Sequence, residues 1–184
     1  MNKDINCMSG RCRFASRIYL GVVAKYGEPD SVIELGCGNG LNLKQFSKAS
    51  RRVGIDPFQP NIVAANKNVP EVEIIHGCHL KLKDFEKNEF DLGITCSVLN
   101  HIEHYELALD ELFRICKKLY LVEPTIEGEN RPALASETSS PNDTWYFDYR
   151  SALTKRGLDF SIKHTPLYKK NSGSLYHVIC VDCE

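Results

Sequence analysis

The sequence predicts an α/β fold: a doubly wound, mostly parallel seven-stranded sheet with a C-terminal antiparallel hairpin strand and helices on both faces. Three observations predict it. Strand-like and helix-like segments alternate along most of the 184 residues. The strand-like segments are short apolar runs, as expected of strands covered on both faces. The last two are joined by a short polar stretch containing Gly173, which suits a hairpin rather than a crossover.

Residues 14–26 read as a helix, with Phe14, Ile18 and Val22 at four-residue spacing and Gly27 and Pro29 ending it. Residues 31–35 are a strand that runs into a glycine-rich turn, followed by a helix over 41–49 with Leu43 and Phe46 inward. Residues 52–56 form a second strand; Pro57 and Pro60 mark a turn and a helix start, and 61–68 continue as helix. Strands follow at 71–76, 91–96 and 118–123. Between the last two, 104–117 is the clearest helix. Leu109, Leu112, Phe113 and Cys116 lie on one face, and Glu106, Asp110, Glu111 and Arg114 face out. Residues 125–143 are polar and rich in Gly, Pro and Ser, and a loop of that length is typical of an active-site cover. A helix is expected over 145–156, capped by Asp143 or Thr144 and stopped by Gly157. Strands at 158–164 and 174–182, joined through 169–173, complete the sheet.

The chain reads as one domain. Residues 1–29 are its N-terminal helical segment, 30–124 its core, 125–143 its loop and 144–184 its C-terminal helix and hairpin. Lys and Arg number 23 and Asp and Glu 24, a formal charge of −1. That balance argues against a nucleic-acid partner, whose phosphates demand a basic excess. No run approaches the roughly 18 apolar residues of a membrane span, and the first residues carry no signal-type stretch, so a cytoplasmic protein is expected. Of the eight cysteines, Cys37, Cys78, Cys96 and Cys116 lie in or beside apolar runs. Cys7, Cys12, Cys180 and Cys183 form two pairs, which read either as a four-thiolate zinc site or as unrelated thiols. No bound metal is assigned.

The informative stretch is Glu34-Leu35-Gly36-Cys37-Gly38-Asn39-Gly40. A buried strand delivers a glycine-rich turn straight into a helix. Glycines permit positive φ and let a ligand lie against bare backbone, and the helix start offers unpaired N–H groups. Sixteen residues after Gly40 a strand ends in Asp56, where a carboxylate can accept the hydroxyls of a ribose or cap the next helix. A dinucleotide turn needs G-x-G-x-x-G, and Leu41 occupies its third glycine position.

With its E-x-G-x-G-x-G loop, Val53-Gly54-Ile55-Asp56, the run Phe90–Ile102 and Leu119-Tyr120-Leu121-Val122-Glu123-Pro124, the chain resembles the class I S-adenosylmethionine-dependent methyltransferases over roughly residues 30–165. The resemblance implies S-adenosylmethionine as cofactor. It implies that Gly36, Cys37, Gly38 and Gly40 line its methionine and ribose portion, that Glu34 orients the loop or the cofactor's amino group, and that Asp56 holds the ribose. Pro57 and Phe58 would flank the adenine. The family often has an acid after its third strand; here Gly77-Cys78-His79 stands there, so Cys78 and His79 are the candidate adenine contacts. Cys96 would face the sulfonium with its carbonyl.

The implied reaction is methyl transfer to a hydroxyl or amine of a small molecule or glycan. A hydroxyl acceptor calls for a base, and His101, just past the fourth strand, is the first candidate; packing or capping is its other reading. Substrate candidates are Arg13, Arg17, Tyr19, Trp145, Tyr146 and Tyr149, since arginines grip anions and aromatics stack on rings; the alternative is a solvated arginine face and core aromatics. The stretch Cys96-Ser97-Val98-Leu99 lacks the Asn/Asp-Pro-Pro-aromatic run of relatives that methylate nucleic-acid amines. A nucleic-acid methyltransferase and a non-catalytic cofactor-binding module remain the alternatives. The oligomeric state is not legible.

Overall fold

The structure, a computed structural model, describes residues 10–128, 130–134, 144–164 and 176–183. The chain divides into two compact units, Met1–Cys78 and His79–Glu184.

The first unit holds α1 (Gly10–Tyr26), β1 (Ser31–Leu35), α2 (Leu41–Gln45), β2 (Arg51–Asp56), α3 (Gln59–Asn68) and β3 (Glu73–His76). Its strands run parallel in the order β3-β2-β1, with Ile33 opposite Val53 and Asp56 opposite His76. Val32, Ile33 and Leu35 are buried, as are Ile18 and Val22 of α1; Phe14, the third residue of the expected four-residue set, is only half-buried, and Ala15 is buried instead. Gly27 ends α1 at φ 80°, its amide bonded to Val23 O. α2 stops at Gln45 rather than 49. Phe46 closes it with a tight turn onto Leu43 O and turns its ring into the core, edge-on to Tyr19 with centroids 5.3 Å apart. α3 begins at Gln59, one residue before the expected start at Pro60, which lies in its first turn.

The second unit opens with a 3-10 helix, His79–Asp84. β4 (Phe90–Cys96), a 3-10 turn (Leu99–His101), α4 (Tyr105–Ile115) and β5 (Cys116–Pro124) follow, then β6 (Arg131–Pro132), β7 (Trp145–Tyr146), α5 (Tyr149–Lys155), β8 (Asp159–His164) and β9 (Tyr176–Asp182). The order is β4-β5-β9-β8. β4 and β5 are parallel, while β9 is antiparallel to both β5 and β8. Together the units supply the seven strands of the predicted sheet, with its C-terminal antiparallel hairpin. The connecting residues 169–173 lie outside the described residues.

Four sequence expectations need correction here. α4 ends at Ile115 and passes into β5 at Cys116 without a loop. Ile115, not Phe113, completes its buried face, and the half-exposed Phe113 ring lies under the Arg156 guanidinium. Arg114 does not face solvent alone: its guanidinium donates to Phe85 O at 2.8 Å, Leu82 O at 3.1 Å and Glu111 Oε2 at 2.7 Å. Most consequential, no helix begins at 145. Trp145–Tyr146 pairs with Arg131–Pro132 as a two-stranded ribbon, as suits aromatic residues. The helix starts at Tyr149, capped by Asp148, which accepts from Ser151 N at 3.0 Å and Ser151 Oγ at 2.8 Å. Gly157 does stop it, at φ 65°.

Candidate functional site

In the first unit, β1 ends in a turn built on three left-handed glycines: Gly36 at φ 71°, Gly38 at 56° and Gly40 at 79°. The amides of Gly36 and Cys37 both donate to Ile55 O, at 2.7 and 3.0 Å, which ties the turn to the end of β2. Gly38 N donates to Asp56 Oδ2 at 2.9 Å. The glycines differ in their surroundings. A side chain on Gly40 would strike Val69 Cγ2 at 2.6 Å, whereas one on Gly38 would meet nothing within 4 Å. Gly40 is therefore required by packing and Gly38 by conformation, with open space above it.

Asp56 is only 5% exposed. Besides Gly38 N, it takes Phe58 N at 2.9 Å and Asn61 Nδ2 at 3.0 Å on Oδ1. A carboxylate offers about four lone-pair sites, so these three donors leave room for one more, on Oδ2. Asp56 therefore ties down the entry to α3 and keeps one acceptor position on Oδ2. The α3 cap position itself is Phe58.

Glu34 is 1% exposed. Asn42 Nδ2 donates to Oε1, and Oε2 has no partner. Burial raises the carboxyl to about 8, against the lowering effect of Asn42 and with a smaller push from the Asp56 charge. The Cys37 thiol packs on the open face of Gly54, so that a Cβ there would sit 2.7 Å from Sγ. Burial, then Glu34 and Asp56, pushes this thiol well up. What Cys37 offers a ligand is therefore backbone. At the outer end, Pro57 and Cys78 are exposed and Phe58 is 60% exposed, and His76 Nε2 contacts Pro57 O at 3.0 Å.

In the second unit, the chain turns sharply where β4 ends. Cys96 lies opposite Val122. Ser97 adopts φ 56°, and its Oγ lies 3.0 Å from Tyr176 Oη. Glu123, fully buried on β5, accepts from Val98 N and Leu99 N. Burial raises it to about 7, against the opposing effect of these amides. His101 is exposed at the end of the 3-10 turn, with Asn100 Nδ2 3.4 Å from its Nε2. His79 is half-buried, and burial followed by the Lys83 charge lowers its imidazole.

The substrate candidates fare unevenly. Arg17 is exposed. Tyr19 is already committed, donating to Glu28 Oε1 at 2.6 Å. Tyr146 is buried under the Arg131 guanidinium. Tyr149 corrects the expectation of a stacking surface: it is wholly buried, edge-on to Tyr105, which itself stacks on Phe147 at 4.0 Å. Trp145 lies parallel to Phe147 at 6.3 Å. Cys7 and the side chains of Cys12 and Arg13 lie outside the described residues.

Sequence reasoning missed Asn42, Asn61, Ser97, Glu123 and Tyr176. Glu123 alone left a signal, a single acid inside an apolar strand run.

Residues 33–119 match the family model of a methyltransferase domain. That match spans just under half of the chain, and the solved structures that share its fold include S-adenosylmethionine-dependent methyltransferases. Among curated proteins, the chain is similar to the O-antigen chain terminator bifunctional methyltransferase/kinase WbdD of Escherichia coli, 34% identical over 106 residues. The match covers 50% of this chain and 14% of WbdD, so the chain matches only about a seventh of that relative's length. Among solved structures, it is similar to the methyltransferase complexed with the Trm112 methyltransferase activator of Haloferax volcanii (TM-score 0.72, 14% identity, 95% of this chain and 93% of that one). It is also similar to 1,6-didemethyltoxoflavin-N1-methyltransferase of Burkholderia thailandensis, solved with its substrate and S-adenosylhomocysteine (TM-score 0.70, 17% identity, 98% and 81%). Among the described residues, no helix is long and apolar enough to cross a membrane.

Proposed function

We propose that the chain binds S-adenosylmethionine on the glycine turn after β1 and transfers its methyl group to a hydroxyl or amine of a small molecule or glycan. The observation that carries this reading is the pairing of Gly38 with Asp56. A left-handed glycine with open space above it is bonded to a carboxylate that retains an acceptor site. The donor set suits the cofactor: bare backbone at Gly36, Cys37, Gly38 and Gly40, a ribose acceptor in Asp56, and in Glu34 a buried carboxyl with an unpartnered oxygen for the ammonium end. Pro57 and Phe58 offer an apolar lip for the adenine, and Cys78 and His79 are the other candidate adenine contacts.

Bound there, S-adenosylmethionine supplies a methyl group on a positively charged sulfur, already a good leaving group. The protein's work is then alignment and exclusion of water. In the second unit, the family resemblance makes Cys96 the candidate to offer a carbonyl to the sulfonium and His101 the candidate base for a hydroxyl acceptor. The likeness to an O-antigen chain terminator supports a glycan acceptor, and the toxoflavin relative supports a small heterocycle. The net charge of −1 weighs against RNA or DNA.

Calorimetric titration with S-adenosylhomocysteine tests the reading. Binding with a Kd on the order of micromolar (~8 kcal/mol) is expected; no heat at millimolar ligand overturns it. A non-catalytic module would bind equally well yet consume no S-adenosylmethionine against any metabolite or glycan extract.

A further inference from the structure

Ser97 closes β4 in the left-handed region, at φ 56°. A Cβ makes that conformation costly, so its surroundings must impose it. Three consecutive amides are held there. Ser97 N donates to Val122 O at 2.9 Å. Val98 N donates to both oxygens of Glu123, at 3.1 and 3.2 Å, and Leu99 N to Oε1 at 3.3 Å. Glu123 is fully buried within β5, where an apolar residue would be cheaper to bury. Its carboxylate instead satisfies amides at the start of the 3-10 turn that have no partner within the turn. The result is a Ser97 hydroxyl set 3.0 Å from that of Tyr176, which lies 79 positions away in sequence.

We infer that Glu123 is a positioning residue for the turn that carries Ser97 and His101. Its carboxylate, rather than the sheet ladder, holds Ser97 left-handed and so fixes the Ser97–Tyr176 hydroxyl pair. That this turn faces a methyl acceptor rests on the function proposed above; the hold itself does not.

A double-mutant cycle on the full chain tests it. Ser97→Ala and Ser97→Gly both lose the hydroxyl, so their difference isolates the Cβ. With Glu123 intact, the glycine variant should have an unfolding equilibrium constant about fivefold or more below that of the alanine variant, read by urea denaturation. In a Glu123→Gln background the ratio should fall toward one, because one of the two acceptors becomes a donor. A ratio near one with Glu123 intact, or one unchanged by Glu123→Gln, overturns the inference.

Amide exchange gives a second reading. In Glu123→Gln, Val98 and Leu99 should exchange about tenfold faster or more, with Ile94 of β4 unchanged as a fold control; equal protection counts against the hold. NMR supplies a third, which stays available should Glu123→Gln fail to fold. In the wild type, the Val98 and Leu99 amide resonances should shift with Glu123 protonation near neutral pH, and flat resonances overturn the inference. Tyr105 of α4 and Tyr149 of α5 also lie near, but burial lifts both far above that range. His177 lies opposite Glu123 across the register and His101 ends the same 3-10 turn, so the shift must survive both His177→Gln and His101→Gln. A parallel S-adenosylhomocysteine titration separates the two readings: failure to bind removes the methyltransferase proposal and leaves the turn as described.

Discussion

The amide of Gly38 and the carboxylate of Asp56 meet at 2.9 Å, joining the turn after β1 to the end of β2. The ligand-facing backbone is thus held by the same group that would meet the ribose. Asp56→Ala should weaken S-adenosylhomocysteine binding at least about tenfold, roughly 1.4 kcal/mol. Calorimetry on the folded variant checks this, and unchanged affinity removes the ribose role. Part of the loss will come from the freed turn, because Phe58 N and Asn61 Nδ2 lose their acceptor as well.

Gly38 and Gly40 should separate binding from folding. Gly40→Ala places a Cβ 2.6 Å from Val69 Cγ2 at φ 79° and should destabilise the protein by about 2–3 kcal/mol. Gly38→Ala meets only the conformational cost, about 1 kcal/mol, but projects into the open space and should lower cofactor affinity the more of the two. Urea denaturation and calorimetry on both variants decide it. Equal losses of affinity at equal stability would contradict this division of labour.

Glu34 and Glu123 should make stability fall with rising pH. Both carboxyls sit above their usual value when folded, at about 8 and about 7, chiefly because they are buried. Between the ordinary carboxylate range and those values the folded chain holds protons that the unfolded chain has released. Their contribution is fully present below about pH 4.5 and is lost as pH rises through 7 and 8. Thermal melts should therefore fall by several degrees from pH 5.5 to 8.5, and Glu34→Gln should flatten that slope. A slope unchanged in this variant would place the titration elsewhere.

Tyr149 carries a hydroxyl that is buried without a partner. Tyr149→Phe removes a desolvated polar atom and keeps the ring against Tyr105, so it should be neutral or stabilising by up to about 1 kcal/mol. Urea denaturation checks it. Clear destabilisation would mean that the hydroxyl has found a partner in solution.

The sequence made the glycine turn legible because strand, turn and helix there are contiguous and each glycine has a local cause. The tie between Gly38 and Asp56 was half legible: the spacing implied proximity, not the bond. The start of α5 was misread because the aromatic run 145–149 suits either period, and only its pairing with Arg131–Pro132 decides for a strand. Asp148, the true cap, stood unremarked in that run. Ser97 and Tyr176 were out of reach for another reason, and Glu123 left only its lone acid in an apolar run: sheet pairing brings the three together, and no local pattern encodes it.

Cys37 sits in the middle of the ligand-facing turn, yet its sulfur is turned away, sealed against Gly54 beneath the strand and disinclined to ionise. Oxidants and alkylating agents should therefore spare the turn and react first at an exposed thiol such as Cys78. On the function proposed above, the turn should keep its cofactor affinity under oxidants that would modify a more open thiol.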